Sequence, residues 1–373
     1  MTPLVSADHI WALWAILLLT VAAGFWAERI WIGAKFSGAV VTLLLGFALS
    51  NAGVIPSSAA TYHTIWTYMV PLSIPLLLLH VNMYRILKES AAVLAAFCIS
   101  SIGIVLGTLS AFYLVPMGEN SARIAATLSA GFIGGPAGYL SGAKAVGLNG
   151  GLLTAGTAAV STGILFYLLL LFALPTFSRF RRNFREPLRD DRFTETTAEV
   201  AGGARKGARI HIPTLSFTIA LSAAICTLSF WLEGKLGWQG TGIVILAVIT
   251  VVVALAFRKP LSDLQGPQEF GMLFLQLLFA VIGASAHIPT VIKLGPMLLL
   301  FVAIILLVHI LFLLLAGYFA RLSLPELLIA SNTGVAGPYT AIAMAATKRW
   351  DHLIIPAILC AALGYASAPH IGT

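Results

Sequence analysis

Ser129-Ala-Gly-Phe-Ile-Gly-Gly-Pro136 and Ser331-Asn-Thr-Gly-Val-Ala-Gly-Pro338 decide the reading of this chain. The two stretches lie 202 positions apart and carry Ser, an aliphatic residue, a small residue, Gly and Pro at the same spacing. Each sits in the middle of an apolar run. Gly-Pro interrupts the helical hydrogen-bond ladder. Interrupted backbone at membrane depth persists only where protein buries it or a wet cavity solvates it.

Outward from these motifs, twelve segments approach the ~20 apolar residues that cross a bilayer core. They cover 10–27, 37–55, 62–82, 91–115, 122–146, 151–176, 212–232, 240–257, 269–289, 296–320, 325–347 and 353–369. The chain is 59% hydrophobic and 10% charged, against about 25% charged in soluble domains. Lipid is therefore its main solvent, and the formal charge of +8 belongs to membrane loops, with no nucleic-acid stripe. Cys98, Cys226 and Cys360 lie in separate apolar runs, with neither disulfide nor metal spacing. The run 10–26 has no basic residues before it and reads as a retained helix, not a cleaved signal. The stretch 177–211 holds eight Arg and one Lys against five acids and separates the first six segments from the last six. This gives a first repeat over 1–176, a polar linker over 177–211 and a second repeat over 212–373.

Positive charge marks the cytoplasmic side of short loops. Twelve full crossings would put the Arg-rich linker outside. If 122–146 and 325–347 instead dip in and return, loops 28–36, 84–90, 177–211, 257–263 and 346–352 all become cytoplasmic. Both termini are then outside and the repeats are inverted. The expected fold is all-α: a polytopic membrane protein of two inverted repeats, each with a discontinuous or re-entrant Gly-Pro segment.

Inverted repeats with discontinuous helices mark secondary transporters. Half-helix N-termini face anions, and unwound carbonyls face cations such as sodium. The candidate substrate and ion site is Ser129, Gly131, Gly134, Gly135 and Pro136 with Ser331, Asn332, Thr333, Gly334, Gly337, Pro338, Tyr339 and Thr340. The blander use of Gly131, Gly135, Gly138 and Gly142, which form GxxxG pairs, is close helix packing. Ser73, His80, Asn82, Gln276 and Ser285 are further polar candidates in the third and ninth segments. His80 and His309 lie in apolar runs and read first as interior hydrogen-bonded histidines. All fourteen acids fall at segment ends or in loops, which weighs against a proton exchanger built on a buried carboxylate. No HExxH, GxSxG or phosphate-loop pattern is present, so no enzyme is expected. No cofactor is expected beyond a sodium ion.

The chain resembles the membrane family known as domain of unknown function 819, in the cation/proton-antiporter and anion-transporter superfamily. Three stretches carry the resemblance: Val70-Pro-Leu-Ser-Ile-Pro-Leu-Leu-Leu-Leu-His80 with Asn82 and Arg85; Phe132-Ile-Gly-Gly-Pro136; and Ala330 to Pro338 continuing through Thr340, Ala341, Met344, Trp350, Pro356, Gly364 and Tyr365. Relatives include bile-acid/sodium symporters, 2-keto-3-deoxygluconate permease and the sodium/glutamate symporter. The resemblance implies an elevator mechanism, in which a mobile bundle slides against a dimerising scaffold, and hence a homodimer. Ala336-Gly337 replaces a double glycine of the family pattern. Tyr339 replaces a small residue, and Gly138-Tyr139 stands where an amide is common.

The function expected from residues and resemblance together is sodium-coupled transport of a small polar or anionic organic solute, in a bacterial inner membrane. A proton-coupled carrier, or an exporter of metabolites or cell-wall fragments, is the nearest alternative. A channel or membrane sensor is the alternative of another class.

Overall fold

In the computed structural model, every regular element among the described residues is a helix. The structure describes residues 3–29, 37–79, 83–177, 182, 184, 212–237, 241–256 and 267–371. The first half holds α1 (Ile10–Ala27), α2 (Gly38–Asn51), α3, α4 (Met83–Leu114), α5 (Ser121–Ala145) and α6 (Gly150–Ala173). α3 joins Ala60–Thr64 to Val70–Leu78 through a π-helical stretch, Ile65–Met69. The second half holds α7 (Ile212–Leu236), α8 (Gly242–Ala256), α9 (Pro267–Ser285), α10 (Ile288–Leu294), α11 (Pro296–Phe319), α12 (Leu324–Val335), α13 (Pro338–Thr347) and α14 (Ile354–Ile371). Six of these helices are long and apolar enough to cross a membrane. That count is the architecture of a multi-pass helical membrane protein.

Shifting the first half by 202 positions lays α1 on α7, α2 on α8, α3 on α9, α5 on α12 and α13, and α6 on α14. The continuous α4 falls on two pieces, α10 and α11, parted at Gly295. Two departures from the expected segments follow from local chemistry. α4 begins at Met83 instead of 91, because residues 83–90 carry no Gly or Pro to stop a helix. The third segment is interrupted by π turns just before Pro71, whose missing N–H cannot serve a regular ladder.

Glycines set the helix approaches, as expected where lipid supplies no hydrophobic drive between helices. A Cβ on Gly107 would meet Ile305, and one on Gly103 would meet His309 and Phe312. α4 and α11 therefore pack antiparallel. Gly46 abuts Ala280, while Asn51 Nδ2 donates to the Ala286 carbonyl at 2.8 Å and Ile288 N–H donates to Asn51 Oδ1 at 2.9 Å. α2 and α9 therefore run parallel.

α5 is not a rod. Gly134 (φ −110°, ψ 16°) and Gly135 (φ 59°, ψ −156°) leave helical space, and the chain turns back on itself. A Cβ on Gly142 would lie 2.8 Å from Ala130 Cβ and 3.4 Å from Thr127 Cα. One on Gly131 would lie 3.1 Å from Tyr139 Cβ. Straight helix separates residues twelve apart by about 18 Å, so Ser121–Ile133 and Pro136–Ala145 are two antiparallel arms of a hairpin. Gly131 and Gly142 serve the packing role foreseen for small residues.

α12 and α13 make the second hairpin. Ser323 starts α12 with a capping box, its N–H accepted by Glu326 at 2.8 Å. The arm ends at Ala336, and Gly337 (φ 96°, ψ 168°) turns the chain into α13. Pro338 opens α13, where a missing N–H is harmless. Asn332 Nδ2 faces Met344 Sδ at 3.4 Å across the two arms.

Candidate functional site at the hairpin tips

The two turns meet. A Cβ on Gly135 would lie 3.5 Å from Gly337 Cα, and one on Gly334 would lie 2.9 Å from the Phe132 carbonyl. No side chain separates the tips at this point. Broken backbone from both halves is therefore gathered at one spot, with the N-termini of the arms starting at Pro136 and Pro338 beginning there.

A cavity of about 270 Å³ lies against the tips. α5 contributes Gly131, Gly135, Tyr139 and Leu140, and α12 and its end contribute Val335 and Ala336. Thr157, Val160, Ser161 and Ile164 line it from one face of α6; Trp66 comes from α3, and Ile282 and Ser285 from α9. Tyr139 donates its hydroxyl to the Leu153 carbonyl at 3.1 Å. Trp66 meets the ring of Tyr339 edge-on, with centroids 6.1 Å apart.

Among the sequence candidates, Gly131, Gly135 and Ser285 line this cavity. Gly134 forms the first turn. Pro136 and Pro338 open the returning arms, and Gly337 forms the second turn. Ser129 is buried within the entering arm and does not reach the cavity lining. Thr333 is spent on its own helix, donating to the Ile329 carbonyl at 2.8 Å. Ser73 likewise donates to the Val70 carbonyl. Gln276 is 1% exposed, and neither of its amide atoms has a hydrogen-bond partner among the described residues. His80 and Asn82 lie outside the described residues.

Below the second tip, Thr340 Oγ1 stands 2.8 Å from both Asn332 Oδ1 and the Gly337 carbonyl. On the other side of α12, Ser331 Oγ bonds Tyr167 of α6 and lies 2.8 Å from His309 Nε2 of α11. His309 Nδ1 lies 3.1 Å from the Ser100 carbonyl of α4.

Trp66, Thr157, Ser161 and Tyr167 carry no role in the sequence reading, and Tyr139 enters it only as a departure from the family pattern. Thr154, Thr157 and Ser161 recur at spacings of three and four along one face of α6, and that spacing was a usable signal. Nothing local singles out Trp66 or Tyr167.

A family profile described as "Protein of unknown function (DUF819)" matches residues 15–373. The chain is 31% identical over 389 residues to "Uncharacterized membrane protein YjcL" of Bacillus subtilis (strain 168), an alignment covering 100% of this chain and 98% of that protein. By the extent of both matches, over the helices and hairpins just described, the chain belongs to the DUF819 family of membrane proteins.

Proposed function

We propose that this protein is a secondary active transporter of a small polar or anionic organic solute, coupled to sodium and working by alternating access. The observation that carries the reading is the meeting of two helical hairpin tips, one from each half, beside a cavity. A channel calls for a continuous lined pore, whereas tips that touch at Gly135 and Gly337 close the path.

An inverted repeat is supported by helix direction. α4 and the α11 that falls on it at the shift of 202 run antiparallel, and α2 runs parallel to α9. Both relations require an odd number of crossings per half, which five crossings and one re-entrant hairpin supply. In this reading the linker 177–211 is cytoplasmic, and the hairpins enter from opposite faces of a bacterial inner membrane. One hairpin bundle moves as an elevator against a dimerising scaffold.

Sodium coupling is supported by an excess of oxygens. One hydroxyl proton on Thr340 faces two acceptors, Asn332 Oδ1 and the Gly337 carbonyl. The Gly337 carbonyl also takes the Ala341 N–H at 3.3 Å, which leaves the Thr340 hydroxyl and Asn332 Oδ1 as the buried oxygens with lone pairs to offer a small hard cation. The positive ends of the two returning arms suit a carboxylate in the adjoining cavity. A cavity of about 270 Å³ is of the size that takes a small metabolite.

The test is uptake into proteoliposomes of radiolabelled small carboxylates, first selected by ligand-induced thermal stabilisation. An inward sodium gradient should accelerate uptake of at least one by tenfold or more over a potassium gradient. Uptake indifferent to sodium would remove the coupling, and single-channel currents would remove the carrier.

A further inference from the structure

The chain Tyr167–Ser331–His309–Ser100 joins α6, the entering arm α12, α11 and α4. Ser331 and His309 are fully buried, and Tyr167 is 3% exposed. Its proton order follows from counting. A carbonyl only accepts, so the hydrogen between His309 and Ser100 sits on Nδ1. A neutral imidazole then accepts at Nε2. Ser331 gives its one proton to Nε2, and its oxygen receives the Tyr167 hydroxyl. The order is Tyr167 to Ser331 to His309 to the Ser100 carbonyl, with every proton placed.

A single proton added to His309 reverses the bond to Ser331. Nε2 becomes a donor, and the Ser331 hydroxyl loses the acceptor for its own hydrogen, which must turn to Tyr167 or to its own helix. The contacts recorded at the imidazole come from α4 (Ser100, Gly103), α6 (Tyr167) and α12 (Ser331). Tyr167 is the titratable group among them, and none carries a carboxylate. An imidazolium enclosed there has no counter-charge, and burying an unpaired charge is strongly unfavourable. Relief comes from withdrawing the α12 arm so that water reaches Nε2.

We propose that His309 is a proton-binding site that gates the second hairpin: neutral, it latches Ser331 and holds the tip closed; protonated, it releases the α12 arm. The proton comes from hydronium on the side to which the hairpin opens, leaving water, and returns to bulk solvent on deprotonation. No redox partner is involved. This site is separate from the oxygen cluster at Thr340 and needs neither sodium nor an identified solute.

The test measures tip opening directly. Ala336→Cys, in a background with Cys98, Cys226 and Cys360 replaced by Ala, is labelled by a water-soluble maleimide in proteoliposomes at pH 5.5 and pH 8.0. The same is done with His309→Gln added, which keeps an acceptor for Ser331 but does not titrate. Thiolate chemistry is common to both proteins and cancels in their ratio. The protein retaining His309 should label at least fivefold faster than the Gln variant at pH 5.5, and equally at pH 8.0. The same ratio at both pH values overturns the proposal. Should Ala336→Cys not fold, Ser285→Cys on the facing wall of the cavity gives the same readout.

Discussion

Gly135 and Gly337 hold the two positions where backbone geometry and close approach coincide. Gly135 at φ 59°, ψ −156° and Gly337 at φ 96°, ψ 168° lie where L side chains are strained, and such conformations cost about 1–3 kcal/mol for other residues. Gly135→Ala and Gly337→Ala should each lower the melting temperature in detergent and abolish most solute flux. Gly134→Ala, at φ −110°, escapes the backbone part of that penalty and should melt nearer the parent protein. Outside the membrane spans, burial pushes the Asp351 carboxyl up to about 6, with Arg349 pulling it down. The folded state then holds this proton more tightly than the unfolded chain does. Stability contributed here is present at low pH and lost as pH rises from about 4 through about 6. Asp351→Asn should therefore raise the melting temperature at pH 7.5, with the gain shrinking toward pH 4.5 in a thermal scan.

Each hairpin depends on its arms lying close together. Gly142→Leu places a side chain where Ala130 and Thr127 already stand, and overpacking of this kind costs about 1–3 kcal/mol. The expected result is a lower melting temperature together with faster protease cleavage or thiol labelling near the first tip, compared with Gly142→Ala. Both breaks were legible beforehand, because glycine followed by proline joins a permissive backbone to a missing N–H and a blocked ladder. The folding back of α5 was legible through loop charge together with the Gly, Ser and Pro at the centre of the segment. The oxygen cluster was half legible: Asn332 and Thr340 stood in the motif, but their pairing depends on how α13 returns. Ser331 was read as a ligand-facing hydroxyl, and the structure instead turns it to Tyr167 and His309. That contact spans 164 residues of sequence to Tyr167, and no local pattern encodes it. The cavity walls from α3 and α6 were hidden for the same reason.

At the scale of the whole molecule, the proposed arrangement places the linker 177–211 and the loop at 346–352 on one side, with both termini on the other. Reporter fusions in whole cells should find a cytoplasmic fluorescent signal for insertion near position 195 and alkaline phosphatase activity for a fusion after Thr373. The reverse pattern at either site would break the odd count of crossings. The two halves are also unequal. α4 is one helix of 32 residues, about 48 Å long, while its partner in the second half is jointed at Gly295 into α10 and α11. A stiff lever thus faces an elbowed one. In the proposed carrier the two faces of the membrane would therefore present unlike surroundings to the site, and the rates of loading from them should differ even with equal solute on each.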